Sequence, residues 1–203
     1  MTVADSGAPD PLWSVKPVID RLLHRGRHLT DPDALLAAIC ARVRKAGMPL
    51  DRTNVFISTL HPQYFGFVRA WEDCVAQTYF GAHDDRESDT VVYSSLGPIV
   101  NGERAVRRHL QEPDCAMDFP ILHELKAQGF TDYVIVEPVF SSGARNGVSL
   151  ATRHDGGFSD HDLQEIEQIL HLFAILMENH TKQGRRRKPA RYVSWEHFRR
   201  ACT

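Results

Sequence analysis

The stretch GVSLATRHDGGFSDHDLQEIEQILHLFAILM, residues 147–177, runs from a strand pattern directly into the longest helix pattern of the chain. Gly147 to Arg153 reads as a strand following a turn at Ser141 to Asn146. Ser159 then stands as an N-cap, with Asp162 three residues on in capping-box position. Leu163, Ile166, Leu170, Phe173 and Met177 follow at spacings of three and four, one face of a helix. Ile169, Leu172, Ile175 and Leu176 widen that face, so the helix has apolar surface for two contacts. One contact is a sheet. The other is the same helix of a second subunit, pairing over Ser159 to His180, or a burial within one subunit. The apolar run from Ile169 to Met177 is broken by His171 and is too short to span a bilayer.

Upstream, the period changes twice. Val18, Ile19, Leu22 and Leu23 give a short amphipathic helix within Val15 to Leu29, weakened by Gly26. Thr30-Asp31-Pro32 opens a second helix with proline at its first position. Its stripe is Leu35, Leu36, Ile39 and Val43, and Gly47 and Pro49 end it. Asn54 to Leu60 alternates and reads as a strand, followed by Tyr64 to Trp71 and Cys74 to Phe80. Residues 81–118 are polar and irregular, and Glu103 to Leu110 fits either a short strand or a helix. Phe119 to Gln128 is a short helix stopped by Gly129, and Tyr133 to Phe140 is a strand. Strands and helices do not alternate as a parallel doubly wound fold requires. The expected class is α+β, a central antiparallel sheet flanked by N-terminal and C-terminal helices.

The chain has 203 residues, 42% apolar and 25% charged, the composition of a globular protein with a real core. Three segments are expected: an arm and short helix over 1–30, one domain over 31–181, and a basic tail over 182–203. The tail holds eight bases and one acid, a net +7, so residues 1–181 sum to −9 against −2 for the whole chain. An acidic body has no general attraction for nucleic acid. The tail either binds an acidic surface or is solvated. Residues 1–11 lack the basic and apolar regions of a signal peptide, and four scattered cysteines fit a reducing compartment, so the expected location is cytoplasmic, away from membranes.

Motifs for chemistry are sparse. Phosphate loops, dinucleotide fingerprints, nucleophile elbows and zinc-protease pairs are all missing from the sequence. His24 and His28, four apart, lack a third ligand nearby. The acids Asp84, Asp85, Glu87 and Asp89 lack the spacing of a calcium loop. Cys115 has acids on both sides, which disfavour a thiolate. No catalytic residue, metal or cofactor is therefore expected. A small ligand between sheet and covering insertion is the remaining chemistry. The insertion supplies Tyr93, Arg107 and Phe119, and the strands supply Trp71, Tyr79, Tyr133 and Thr152. His61 projects into the same pocket or caps its turn, and Asp132 joins it or caps the turn before its strand. The aromatics suit a ligand and a packed core equally.

Five segments occur in a telling order: Gly47-Met-Pro-Leu-Asp-Arg52, Thr59-Leu-His-Pro62, Phe119-Pro-Ile-Leu-His-Glu-Leu125, Gly129-Phe-Thr-Asp-Tyr133 and Ala151-Thr-Arg-His-Asp-Gly-Gly-Phe-Ser159. From about Leu35 to Glu178 the chain resembles the GAF-like N-terminal sensory region of bacterial class III adenylate/guanylate cyclases. The resemblance implies a GAF/PAS-like sheet, a regulatory role, and a homodimer through terminal helices. It also implies a cyclase or another signalling protein as partner. The family's catalytic domain, with its two metal-binding aspartates, has no counterpart here, so the chain is expected not to make cyclic nucleotide. The likeness fades near Lys182. The Asn-Lys…Phe…Asp-Glu signature of cyclic-nucleotide-binding GAF domains is matched only at Phe158 and Asp162. A few GAF-fold proteins reduce methionine sulfoxide with paired cysteines, and the wide cysteine spacing here does not suggest such a pair.

Overall fold

A computed structural model describes residues 13–25, 31–58, 64–72, 74–82, 95–138 and 145–184, with no side-chain description for a few of these, Tyr79 and His171 among them. The elements in chain order are α1 (Lys16–Arg25), α2 (Pro32–Ala46), β1 (Arg52–Ser58), β2 (Tyr64–Glu72), β3 (Val75–Ala82), α3 (Gly97–Val100), β4 (Ala105–His109), α4 (Pro120–Ala127), β5 (Asp132–Val136), β6 (Gly147–Thr152) and α5 (Asp160–Gly184). The strands form one sheet in the order β3-β2-β1-β6-β5-β4, and every pairing is antiparallel. The α+β expectation therefore holds. No helix among the described residues is long and apolar enough to cross a membrane.

The two central strands are β1 and β6, and helices pack on both faces of the sheet. Successive side chains of a strand alternate between faces. Val55 and Ile57 of β1, Phe67 and Trp71 of β2, Val134 of β5, and Val148 and Leu150 of β6 share a core with α1, α2 and α5. The opposite face packs Phe56, Tyr133, Ile135 and Ala151 against Ile99 of α3, Leu122 and Leu125 of α4, and Phe130. The long helices thus lie on one face and the short ones on the other.

The helix starts follow the sequence closely. Asp31 caps α2 by accepting from the Asp33 N–H, with Pro32 in the first turn. Gly47 ends α2 at φ 125°, and a Cβ there would lie 2.8 Å from the Trp13 Cβ. Ser159 and Asp162 bond reciprocally before α5: Ser159 N–H donates to Asp162 Oδ2 at 2.8 Å, and Asp162 N–H donates to Ser159 Oγ at 3.1 Å. Of the predicted α5 face, Ile166, Leu170 and Phe173 are inside and Leu163 is half-buried, with the Met177 side chain outside the described residues; Ile169 and Ala174 are buried beside them, while Ile175 is 59% exposed.

Four details differ from expectation. Helix α1 buries Val18 and Leu22, in line with Val15 just before it, and leaves Leu23 outside. Strand β1 begins two residues early, at Arg52, where pairing with both Glu72 and Ala151 extends it. Strand β5 begins at Asp132 and stops at Val136, ahead of Pro138, which has no N–H for the ladder. Residues 105–109 form a strand, paired at the sheet edge with β5, and the single turn α3 carried no sequence signal strong enough to read. The expected turn at Ser141 to Asn146 lies mostly outside the described residues.

The N-terminal segment is clasped to the start of α5. Trp13 Nε1 donates to Asp162 Oδ1 at 2.6 Å, His161 Nε2 donates to the Trp13 carbonyl at 2.6 Å, and Val15 N–H donates to Glu165 Oε2 at 2.5 Å. That last bond is the main cause holding the Glu165 carboxyl below its ordinary value of 4.5, against a smaller opposing effect of desolvation. A carboxylate depressed on folding stabilises above its unfolded pKa and loses that contribution as pH falls through its folded pKa. A Glu165→Gln protein is expected to be less stable than wild type at pH 7, with the gap closing below about pH 4. Urea midpoints at pH 7 and pH 3 check this; an equal gap at both would rule out the charge as its source.

Candidate functional site

Face by face, the sheet separates the polar residues into two clusters. On the helix-layer side, Asp132 is fully buried and accepts three bonds. Arg107 donates to Asp132 Oδ2 from Nε at 3.1 Å and from Nη2 at 2.7 Å, and the Phe158 N–H donates to the same oxygen at 3.0 Å. Arg107 Nη2 also bonds the Phe158 carbonyl, and His109 Nδ1 lies 3.7 Å from Asp132 Oδ1. This knot ties the edge strand β4 and its neighbour β5 to the residues just before α5. Thr152 points to the same side, accepting from the His154 N–H and lying 3.5 Å from Asp51 Oδ2.

On the other side, Arg52 and Asn54 stand two apart on β1, the strand at the centre of the sheet. They are only 3% and 5% exposed. Among the described residues, neither Nη1 nor Nη2 of Arg52 has a hydrogen-bond partner, and Asn54 Oδ1 has none. Buried polar atoms are almost always paired, and each one left unpaired costs about 1–3 kcal/mol. Ser149 lies opposite Asn54 on β6, and Tyr133 lies opposite Ala151, the partner of Arg52. The Tyr133 hydroxyl donates to Ser95 Oγ at 2.6 Å. Burial pushes the Tyr133 pKa up, opposed by hydrogen bonds to Ser95 and Ser149 and by the nearby Arg52 charge, so the phenol stays protonated at neutral pH. Helices α3 and α4 cover this side, with Arg108 stacked 5.6 Å from the Phe119 ring centre and paired to Asp118 at 2.6 Å.

The nine residues expected to line one pocket do not share one face. Trp71, Arg107, Asp132 and Thr152 belong to the helix-layer side, where Trp71 is in the core with its Nε1 unpaired. Tyr133 and Phe119 belong to the α3/α4 side. Tyr79 is on β3 opposite Val68, and its side chain is outside the described residues. His61 and Tyr93 are outside them as well. Asp132 is an anchor within a strand rather than the cap of a turn. Sequence reasoning missed Arg52, Asn54, Ser149 and Ser95.

Two of the described cysteines, Cys40 and Cys115, are held away from the thiolate form. Burial pushes the Cys40 thiol up to about 12. Cys115 is raised too, chiefly by desolvation; the acids Glu112 and Asp118 add only a smaller push, against Lys126 and Arg108. The expected direction is therefore right and its main cause is burial. Cys40, Cys74 and Cys115 are all free thiols.

No protein-family model matches the chain, and no curated protein matches it. Solved structures do. The GAF domain of a phosphoenolpyruvate-protein phosphotransferase from Coxiella burnetii is 11% identical, over 84% of this chain and 96% of that one, with a TM-score of 0.56. Free methionine-R-sulfoxide reductase from Neisseria meningitidis, in complex with its substrate, is 13% identical over 90% and 99%, with a TM-score of 0.55. The phycoerythrobilin-bound GAF domain of a cyanobacterial phytochrome is 14% identical over 83% and 96%, with a TM-score of 0.54. Identities this low speak to architecture alone, and the architecture is shared over nearly the whole of each domain: the chain has the GAF fold.

Proposed function

We propose that the chain is a non-catalytic sensory domain that binds a small molecule on the α3/α4 side of its sheet and relays occupancy through α5. One observation carries this reading: the centre of that face holds the buried, unpaired donors and acceptor of Arg52 and Asn54, which a ligand would satisfy. The similar domains with a bilin and with a substrate bound support a ligand on this fold. The relay is short. Tyr133 on the ligand side and Asp132 on the helix side are adjacent on β5, and Asp132 bonds the Phe158 N–H, two residues before α5. A ligand acts on α5 only by binding its two dispositions unequally.

In this reading the output is a homodimer through α5, whose Ile175 stands exposed beside the half-buried Leu172 and Leu176. The five ordered motifs support a relation to the sensory region of class III cyclases, with a cyclase or another signalling protein downstream. The raised thiols of Cys40 and Cys115 favour sensing over thiol redox catalysis.

Native and denaturing mass spectra of freshly purified protein test both halves. A dimer mass plus an extra mass per subunit that disappears on denaturation is expected. Ile175→Glu should shift the dimer to monomer without losing the adduct. A clean mass, with no stabilisation by any added small molecule, would leave a pure dimerisation module in place of a sensor.

A further inference from the structure

The unpaired groups on β1 define what kind of ligand would satisfy them. Arg52 presents Nη1 and Nη2, the two donors of a planar fork, with no acceptor on either. Glu72 Oε2 is 3.5 Å from Nη1, out of hydrogen-bond alignment, and Glu72 Oε1 already accepts from Arg153 Nη2 at 3.0 Å. The cluster of Arg52, Arg153 and Glu72 therefore carries one uncompensated positive charge. Two residues on, Asn54 Oδ1 is an acceptor without a donor. Beside Arg52 stand Glu72 on β2, whose carboxylate is shared with Arg153, and Ala151 on β6; beside Asn54 stand Ala70 and Ser149. The three short side chains do not reach the fork, and Glu72 meets it only at the 3.5 Å contact.

We infer that this cluster binds the carboxylate of a small organic acid, its two oxygens accepting from Arg52 Nη1 and Nη2, with a hydroxyl or N–H of the same molecule donating to Asn54 Oδ1. The inference rests on the sensory reading above and names the ligand class for it. A carboxylate matches the guanidinium fork in shape and spacing. A single negative charge balances the cluster, whereas a phosphate dianion overshoots it and a neutral ligand leaves the fork unpaired. A donor adjacent to the carboxylate is what Asn54 selects, so hydroxy acids and N–H-bearing acids are preferred over plain ones.

The test uses the full chain with glycolate, lactate and 3-hydroxybutyrate as probes, and lactamide and inorganic phosphate as controls. At least one hydroxy acid should raise Tm in a saturable way, while lactamide and phosphate do not. Arg52→Met should weaken that binding by more than about tenfold, since it removes two charge-assisted bonds. It should not harm folding: Glu72 keeps Arg153, and a buried charge held only by the 3.5 Å contact to Glu72 is replaced by an apolar chain of similar length. The ligand-free Arg52→Met protein should therefore melt no lower than wild type, and up to about 2–4 °C higher.

Three results overturn the inference: equal binding by Arg52→Met, stabilisation by phosphate in place of the acids, or an Arg52→Met protein that melts several degrees lower. The last would make Arg52 a structural prop of Glu72. A native-mass adduct that persists in Arg52→Met would sink the carboxylate and leave the sensory reading standing. No adduct in wild type, together with no response to any probe, would sink both.

Discussion

An Asp132→Ala protein is expected to unfold with about 3–5 kcal/mol less free energy than wild type, read from urea denaturation at neutral pH. Asp132 is fully buried and accepts from Arg107 Nε and Nη2 and from the Phe158 N–H. Removing the carboxylate strands all three donors. Arg107 is about a quarter exposed, so its guanidinium can turn toward water; the buried Phe158 N–H cannot. Arg107→Ala should cost as much, because it leaves a buried anion unpaired. The double variant should cost clearly less than the sum of the two, which is the signature of one shared interaction. Asp132→Asn keeps the shape and an acceptor for Phe158, and should cost roughly half as much as the alanine change. A loss below about 1 kcal/mol for Asp132→Ala would mean that the knot between β5 and α5 is not a strong one. It would also remove the mechanical basis of the proposed relay.

The elements legible in the sequence are those whose signals are local. The Ser159–Asp162 box, the Asp31-Pro32 start and the three-and-four spacing of α5 are each local patterns, and each is realised in the structure. The site is legible only with the topology in hand. Read alone, the alternation of Arg52, Asn54 and Phe56 with Thr53, Val55 and Ile57 describes a strand with one wet face. Placing β1 at the centre of the sheet, under the layer of α3 and α4, turns that wet face into a buried one. The Arg107–Asp132 pair is hidden for the same reason: α4 separates the two residues in the chain, and only the β4–β5 register brings them together. The aromatic criterion for a pocket then selected Trp71, which the same alternation commits to the opposite core. A sequence shows that a residue faces one side of its strand; it does not show which strands stand beside it.

The two glycines before α5 give the second large effect, because they differ in one respect only. Gly156 and Gly157 have φ of 83° and 76°, both in the left-handed region. A Cβ on Gly156 would meet nothing within 4 Å. A Cβ on Gly157 would lie 2.6 Å from Asp132 Oδ2 and 2.7 Å from its Cβ. Gly156→Ala should therefore cost only the backbone strain, about 1–2 kcal/mol. Gly157→Ala adds an overlap with an immobile, fully bonded carboxylate, and should cost about 3–5 kcal/mol in total. Asp132 cannot yield without losing Arg107 or the Phe158 N–H, and Gly157 cannot yield without moving the start of α5. Urea denaturation of the two proteins side by side separates strain from contact. The contact also predicts a functional difference: if the Gly157→Ala chain folds, its α5 is displaced at the N-terminal end, so the dimer proposed above should be weaker in Gly157→Ala than in Gly156→Ala when the two are compared by sedimentation. Equal losses for the two glycines would show that Asp132 is free to move, and a movable Asp132 could not transmit a change on β5 to the helix.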